Sequence, residues 1–115
     1  MDPTRLHELA DEHGTPTLFL SRRRLVSNYQ SLCHALPGVE MYYAVKSNAE
    51  PRLVSILNDQ ACRFDVCTNG EIDTVLSCGV PPGRLLHTHP IKRESDIRYA
   101  CEKGIRLFVV DNEFE

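Results

Sequence analysis

Apolar residues along this chain alternate between two spacings, and the alternation sets out a succession of elements. Short apolar runs at 39–45, 64–67, 85–88 and 107–110, rich in β-branched and aromatic residues, predict strands. Between them, Leu53, Ile56 and Leu57, then Ile72, Val75 and Leu76, then Ile97, Ala100 and Cys101 recur at i, i+3, i+4, which predicts one-sided helices. The strand runs are nearly continuous rather than alternating, as expected of parallel strands covered on both faces. Tyr43, Asp65, Leu86 and Phe108 mark matched points on the four runs, separated by 22, 21 and 22 residues. Such a period describes a repeating βα unit. A leucine-rich repeat of similar length would need an L-x-x-L-x-L run that is missing here.

The punctuation agrees with the periods. Gly79 and Gly104 stand where the second and third helices should end, and Pro81-Pro82-Gly83 forbids continuation. Ahead of the repeats, Leu25, Tyr29, Leu32, Cys33 and Leu36 form another amphipathic helix stopped by Pro37-Gly38, and Arg22-Arg23-Arg24 reads as its solvated start. Segment 17–20 has the composition of a short strand, and segment 6–13 is either a helical turn or a loose tail. At the other end, Asn112 with Glu115 has the form of a capping box that opens a further helix. A chain stopping there leaves a four-strand parallel array with exposed apolar surface, so one domain that is part of a larger protein is expected.

Composition narrows the function classes. At 115 residues, 42% hydrophobic and 25% charged, the chain has the make-up of one globular domain, and a net charge of -3 gives no electrostatic case for nucleic acid or an anionic membrane. No apolar run reaches the ~20 residues that span a bilayer, and Met1-Asp2-Pro3-Thr4-Arg5 lacks the order of a signal peptide, so a cytoplasmic protein is expected. Cys33, Cys62, Cys67, Cys78 and Cys101 are odd in number and contain no C-x-x-C, which points to reduced, mostly buried thiols.

The candidate chemistry lies at the carboxyl ends of the strand runs, where parallel α/β folds hold ligands. Tyr42-Tyr43-Ala44-Val45-Lys46-Ser47-Asn48 closes an apolar run with a lysine, which can present an amine to a carbonyl compound or simply cap a strand. Asp65 lies in the C-terminal half of the next strand, where it either takes part in chemistry or bonds nearby backbone N–H groups. Glu71 follows Thr68 at capping-box spacing. His87 and His89 lie two apart and could share a face, but no third ligand has suitable spacing, so no metal site is expected. Cys67 reads as a packed thiol. Neither G-x-G-x-x-G nor a Walker sequence is present.

Taken together, Tyr43-Ala44-Val45-Lys46-Ser47-Asn48, Phe64-Asp65-Val66 through Gly70-Glu71, and Pro90 with Lys92 resemble the N-terminal half-barrel of the fold-type III, pyridoxal-phosphate-dependent amino-acid decarboxylases, the ornithine/diaminopimelate decarboxylase family. The resemblance runs from about Thr15 to Glu115, and Asp111-Asn112-Glu113 with Glu115 is similar to the family's fourth strand and helix start. It implies a partial (β/α)8 TIM-type, alanine-racemase-like barrel with about four βα units. It also implies that Lys46 forms a Schiff base with pyridoxal phosphate and that Asp65 lies beneath the cofactor. Ala44 and His89 complete the implied cofactor contacts, although His89 departs from the asparagine usual before Pro-x-Lys in ornithine-type enzymes. The implied substrate is a basic or diamino amino acid, ornithine or lysine favoured over diaminopimelate, in an enzyme that is a homodimer when complete. The family's ring-stacking histidine, glycine-rich phosphate loop, pyridine-nitrogen acid and β-domain are not found in the chain, so little activity is expected of the 115 residues alone. Two other readings stay open: a racemase-like pyridoxal protein, disfavoured by Ser47-Asn48-Ala49-Glu50-Pro51, and an inactive decarboxylase-like module that binds a partner.

Overall fold

Each of the apolar stripes is a helix, and the helices alternate with strands as the periodicity predicts. In the computed structural model, which describes residues 2–113, β1 (Tyr42–Ala44), α3 (Pro51–Asn58), β2 (Arg63–Val66), α4 (Asn69–Ser77), β3 (Leu85–His87), α5 (Glu94–Glu102) and β4 (Leu107–Phe108) follow α1 (Pro3–His13) and α2 (Arg22–Ala35). The strands form one parallel sheet in the order β1-β2-β3-β4. Each crossover carries a helix, which is the arrangement of a TIM-type barrel over its first four units.

Local chemistry explains the element ends. The Ser21 hydroxyl accepts the Arg24 N–H at the start of α2, Pro51 occupies the first turn of α3, and the Thr68 hydroxyl accepts the Glu71 N–H at the start of α4. Gly79 and Gly104 take φ of +78° and +91° just past their helices. At Gly104 a Cβ would also come within 3.2 Å of the Pro82 side chain, so this turn is packed as well as left-handed.

The core lies between the helices and one face of the sheet. Phe64, Val66 and Leu85 from the strands meet Leu53, Val54 and Leu57 of α3, Ile72 and Val75 of α4, and Ala100 of α5. Phe64, Val66, Ile72, Val75 and Ala100 are fully buried. The other sheet face is only partly covered: Tyr42, Ala44, Arg63, Asp65 and Leu86 are half-buried, and Leu107 is exposed. The expectation of strands buried on both faces therefore fails for the described residues. On that second face Arg63 pairs with Glu40 at 2.8 Å and lies over the Tyr42 ring at 5.8 Å.

Three further expectations change. The first strand starts at Tyr42, not residue 39, because parallel pairing begins where Arg63 becomes available as a partner, and Val39 is exposed. Segment 17–20 forms no strand, and Leu18 and Leu20 are exposed. Segment 6–13 is helical, as part of α1, with Asp2 accepting the Thr4 N–H, but none of its residues is buried. The Asn112–Glu115 capping box lies partly outside the described residues. All five cysteines are free thiols, and only Cys62 is fully buried, the other four being half-buried. Burial pushes the Cys62 thiol pKa up, which keeps it protonated and inert. Among the described residues no helix is long and apolar enough to cross a membrane.

Removing the Phe64 ring should open a cavity under three helices, so Phe64→Ala is expected to lower stability by about 3–5 kcal/mol. Ile91→Ala, at a position that is 82% exposed, should change it by less than about 0.5 kcal/mol. Urea unfolding midpoints of the two variants check the contrast.

Candidate active site

In parallel pairing, register partners share a face, so the register decides which strand residues meet. Ala44 pairs with Asp65, and Asp65 with Leu86, which puts the three side by side on the face opposite the core. Tyr43, Phe64 and Leu85 occupy the other face, where Tyr43 and Phe64 meet edge to face with centroids 6.3 Å apart.

The chain leaves β1 through a tight 3-10 turn, Val45–Ser47. Val45 is fully buried and anchors the turn, the Ser47 hydroxyl donates to the Ala44 carbonyl at 2.7 Å, and the Tyr43 hydroxyl donates to the Asn48 carbonyl at 3.0 Å. Asn48 Oδ1 then accepts the Glu50 N–H at 3.0 Å and leads the chain into α3. Lys46 and Ser47 are both exposed in this pinned turn, but Ser47 is engaged by its hydroxyl, whereas Lys46 makes no hydrogen bond or ion pair with another described residue. An amine so placed is free to react while its backbone is held.

Asp65 is fixed from the neighbouring strand. Thr88, one residue beyond β3, donates its hydroxyl to Asp65 Oδ1 at 2.5 Å, and the Thr88 N–H bonds the Val66 carbonyl at 3.1 Å. Cys67 Sγ lies 3.5 Å from Thr88 Oγ1. The Glu71 carboxylate accepts the Cys67 N–H at 2.7 Å while the Thr68 hydroxyl accepts the Glu71 N–H at 3.2 Å. This is a capping box displaced by one residue, with the glutamate reaching to the position before the cap. Thr88 was not singled out from the sequence, yet the period-two rule carries the signal, since Thr88 stands two residues past Leu86 and therefore on the face of Asp65.

The histidines lie elsewhere. His87 points to the core side, 1% exposed, with its ring stacked on Phe108 at 5.7 Å and neither ring nitrogen bonded to a described residue. His89 accepts the Ile91 N–H through Nδ1 at 3.1 Å, and both imidazoles line a cleft of about 260 Å³ between the starts of α4 and α5, with Asn69, Lys92 and Asp96. No hydrogen bond joins His89 to Lys46 or Asp65. Lys92 donates to the His89 and Val109 carbonyls at 2.8 and 2.7 Å, tying the loop after β3 to the end of β4.

An unpaired amine, a carboxylate held by one oxygen, and a small alanine beside it at the carboxyl end of a parallel sheet suit a pyridoxal group. Comparison with known proteins agrees. The model of the family described as "Pyridoxal-dependent decarboxylase, pyridoxal binding domain" matches residues 22–115, and the chain belongs to that family. It is 38% identical over 108 residues to a chloroplastic ornithine decarboxylase of Nicotiana glauca, covering 94% of this chain and 25% of that protein. Lysine/ornithine decarboxylase of Vibrio vulnificus, solved with putrescine, superposes with a TM-score of 0.90 at 38% identity over 97% of this chain and 32% of that one. The Selenomonas ruminantium lysine decarboxylase, solved with PLP and cadaverine, gives a TM-score of 0.92 at 27% identity over 99% of this chain and 30% of that one. The chain thus spans about a quarter to a third of the length of these relatives.

Burial of the His87 ring, reinforced by Lys92 and His89, lowers its pKa, with Asp96 and Asp65 pulling weakly the other way. The unfolded chain then binds the proton more readily than the native one, so this contribution to stability is complete above the ordinary imidazole range near ~6.5 and is lost as pH falls toward the native value. His87→Phe should therefore flatten the decline in urea midpoint between about pH 7.5 and about pH 5. An unchanged slope would rule His87 out as its source.

Proposed function

We propose that this chain carries the cofactor-anchoring part of a pyridoxal-phosphate-dependent decarboxylase, with Lys46 as the covalent attachment point and Asp65 as the acid that orients it. The observation that carries the reading is the pairing of an unbonded, exposed Lys46 on a pinned turn with a carboxylate fixed one strand away. Ala44 offers the small neighbour that a planar ring needs against the sheet. Pyridoxal phosphate, when bound, supplies an electron-accepting ring that takes up the electron pair left as an α-carboxylate departs as carbon dioxide. Lys46 supplies the nucleophilic nitrogen, and Asp65 supplies a fixed negative charge near it. His89 belongs to the cofactor-contact set on the family resemblance, from the loop after β3.

The substrate class is a basic or diamino amino acid, with ornithine or lysine favoured over diaminopimelate. The names of the similar enzymes support the broad class, since ornithine, lysine and diaminopimelate decarboxylases are all among them, and the lean toward ornithine or lysine rests on His89-Pro90-Ile91-Lys92. A cytoplasmic setting and a homodimeric complete enzyme form part of the same proposal and rest on the resemblance.

Incubation with pyridoxal phosphate followed by borohydride reduction and peptide mapping should place the label on Lys46. Lys46→Ala should reduce labelling to background while leaving the unfolding free energy from urea titration within about 0.5 kcal/mol of the parent chain, because an exposed lysine contributes little to folding. Labelling that persists in Lys46→Ala at another lysine would overturn the assignment. The 115 residues alone should release carbon dioxide from ornithine or lysine no faster than the Lys46→Ala control.

A further inference from the structure

We infer that Thr88 is a positioning residue for the lysine–cofactor chemistry, acting through Asp65 and held in turn by Cys67. The inference rests on the proposed role of Lys46 and Asp65. Thr88 lies on the Asp65 face of the sheet, its main chain is tied to β2 through the Val66 carbonyl, and its hydroxyl reaches Asp65 Oδ1 at 2.5 Å. A threonine hydroxyl has a single proton. Once that proton is given to the carboxylate, the 3.5 Å contact with Cys67 can be a hydrogen bond only if the thiol is the donor. Cys67 is itself held by the Glu71 carboxylate through its N–H. A chain of contacts therefore runs from the first turn of α4 through Cys67 and Thr88 to one oxygen of Asp65.

The consequence lies in the other oxygen. A carboxylate accepts through two oxygens, and only Oδ1 is taken by the Thr88 hydroxyl. With Oδ1 held by Thr88, rotation of the carboxylate is restrained and Oδ2 is left without a hydrogen bond to a described residue, on the residue that pairs with Ala44 across the open face. A β-branched donor suits the task because its χ1 is stiff. A purely structural threonine would stabilise a half-buried carboxylate equally well but would leave the reactivity of Lys46 untouched.

Thr88→Val keeps the shape and removes the hydroxyl, and Thr88→Ser restores it. In the cofactor-free full chain, the carboxyl ¹³C signal of Asp65 should move in the valine variant and return in the serine variant. The rate of borohydride-trapped pyridoxal phosphate labelling at Lys46, normalised to the folded fraction, should fall about tenfold in Thr88→Val, as expected for losing a hydrogen bond to a charged group. It should recover in Thr88→Ser. Adding Thr88→Val to Asp65→Asn should then slow labelling no further, which is the signature of action through Asp65. Wild-type labelling rates in Thr88→Val, or additive losses in the double variant, would overturn the inference while leaving Lys46 as the anchor. Failure of the wild-type chain to label at Lys46 would sink the functional reading, and the inference with it.

Discussion

The parallel register that places Ala44 beside Asp65 and Asp65 beside Leu86 is the constraint on which the rest of this molecule depends. Side chains on a strand alternate, so one register assigns every residue of three strands to one of two environments, and a slip of one residue would exchange them. With this register Phe64, Val66 and Leu85 enter the helix-covered core, while Ala44, Asp65 and Leu86 stay on the open face. The hydrophobic core and the polar site are two sides of the same pairing.

The site is held from below by apolar packing and from the side by hydrogen bonds. Val45, fully buried, and the Tyr43 and Ser47 hydroxyls hold the turn that carries Lys46. Thr88, Cys67 and Glu71 hold the Asp65 carboxylate from the next unit. The two lysines of the strand-end loops have different uses: Lys92 bridges two main-chain carbonyls as a strut, and Lys46 is left without a described partner. Packing determines which of the two amines is engaged by main-chain carbonyls.

Much of this was legible along the chain, for reasons that are local. Helical stripes such as Ile72, Val75 and Leu76 follow from a 3.6-residue period, and Gly79 and Gly104 mark stops because only glycine takes the left-handed C-cap at little cost. Lys46 and Asp65 stand out as candidates because one closes an apolar run and the other is an acid set within one. Segment 17–20 was misread since its apolar residues look like a strand without a strand beside them, and β-propensity has no force where no partner supplies the ladder. Glu71 was readable as a cap, but its reach to Cys67 rather than Thr68 was not, because that depends on how the chain leaves β2.

The sequence by itself determined the alternation of strands and helices, their spacing and the candidate anchoring lysine, since all of these follow from periodicity and motif within one stretch of chain. Only the tertiary structure decided that Thr88 grips Asp65, that His87 turns into the core against Phe108, and that Lys92 is a strut. Apart from the Lys92–His89 bond within one loop, those contacts join residues about twenty apart, across a register that no local pattern encodes.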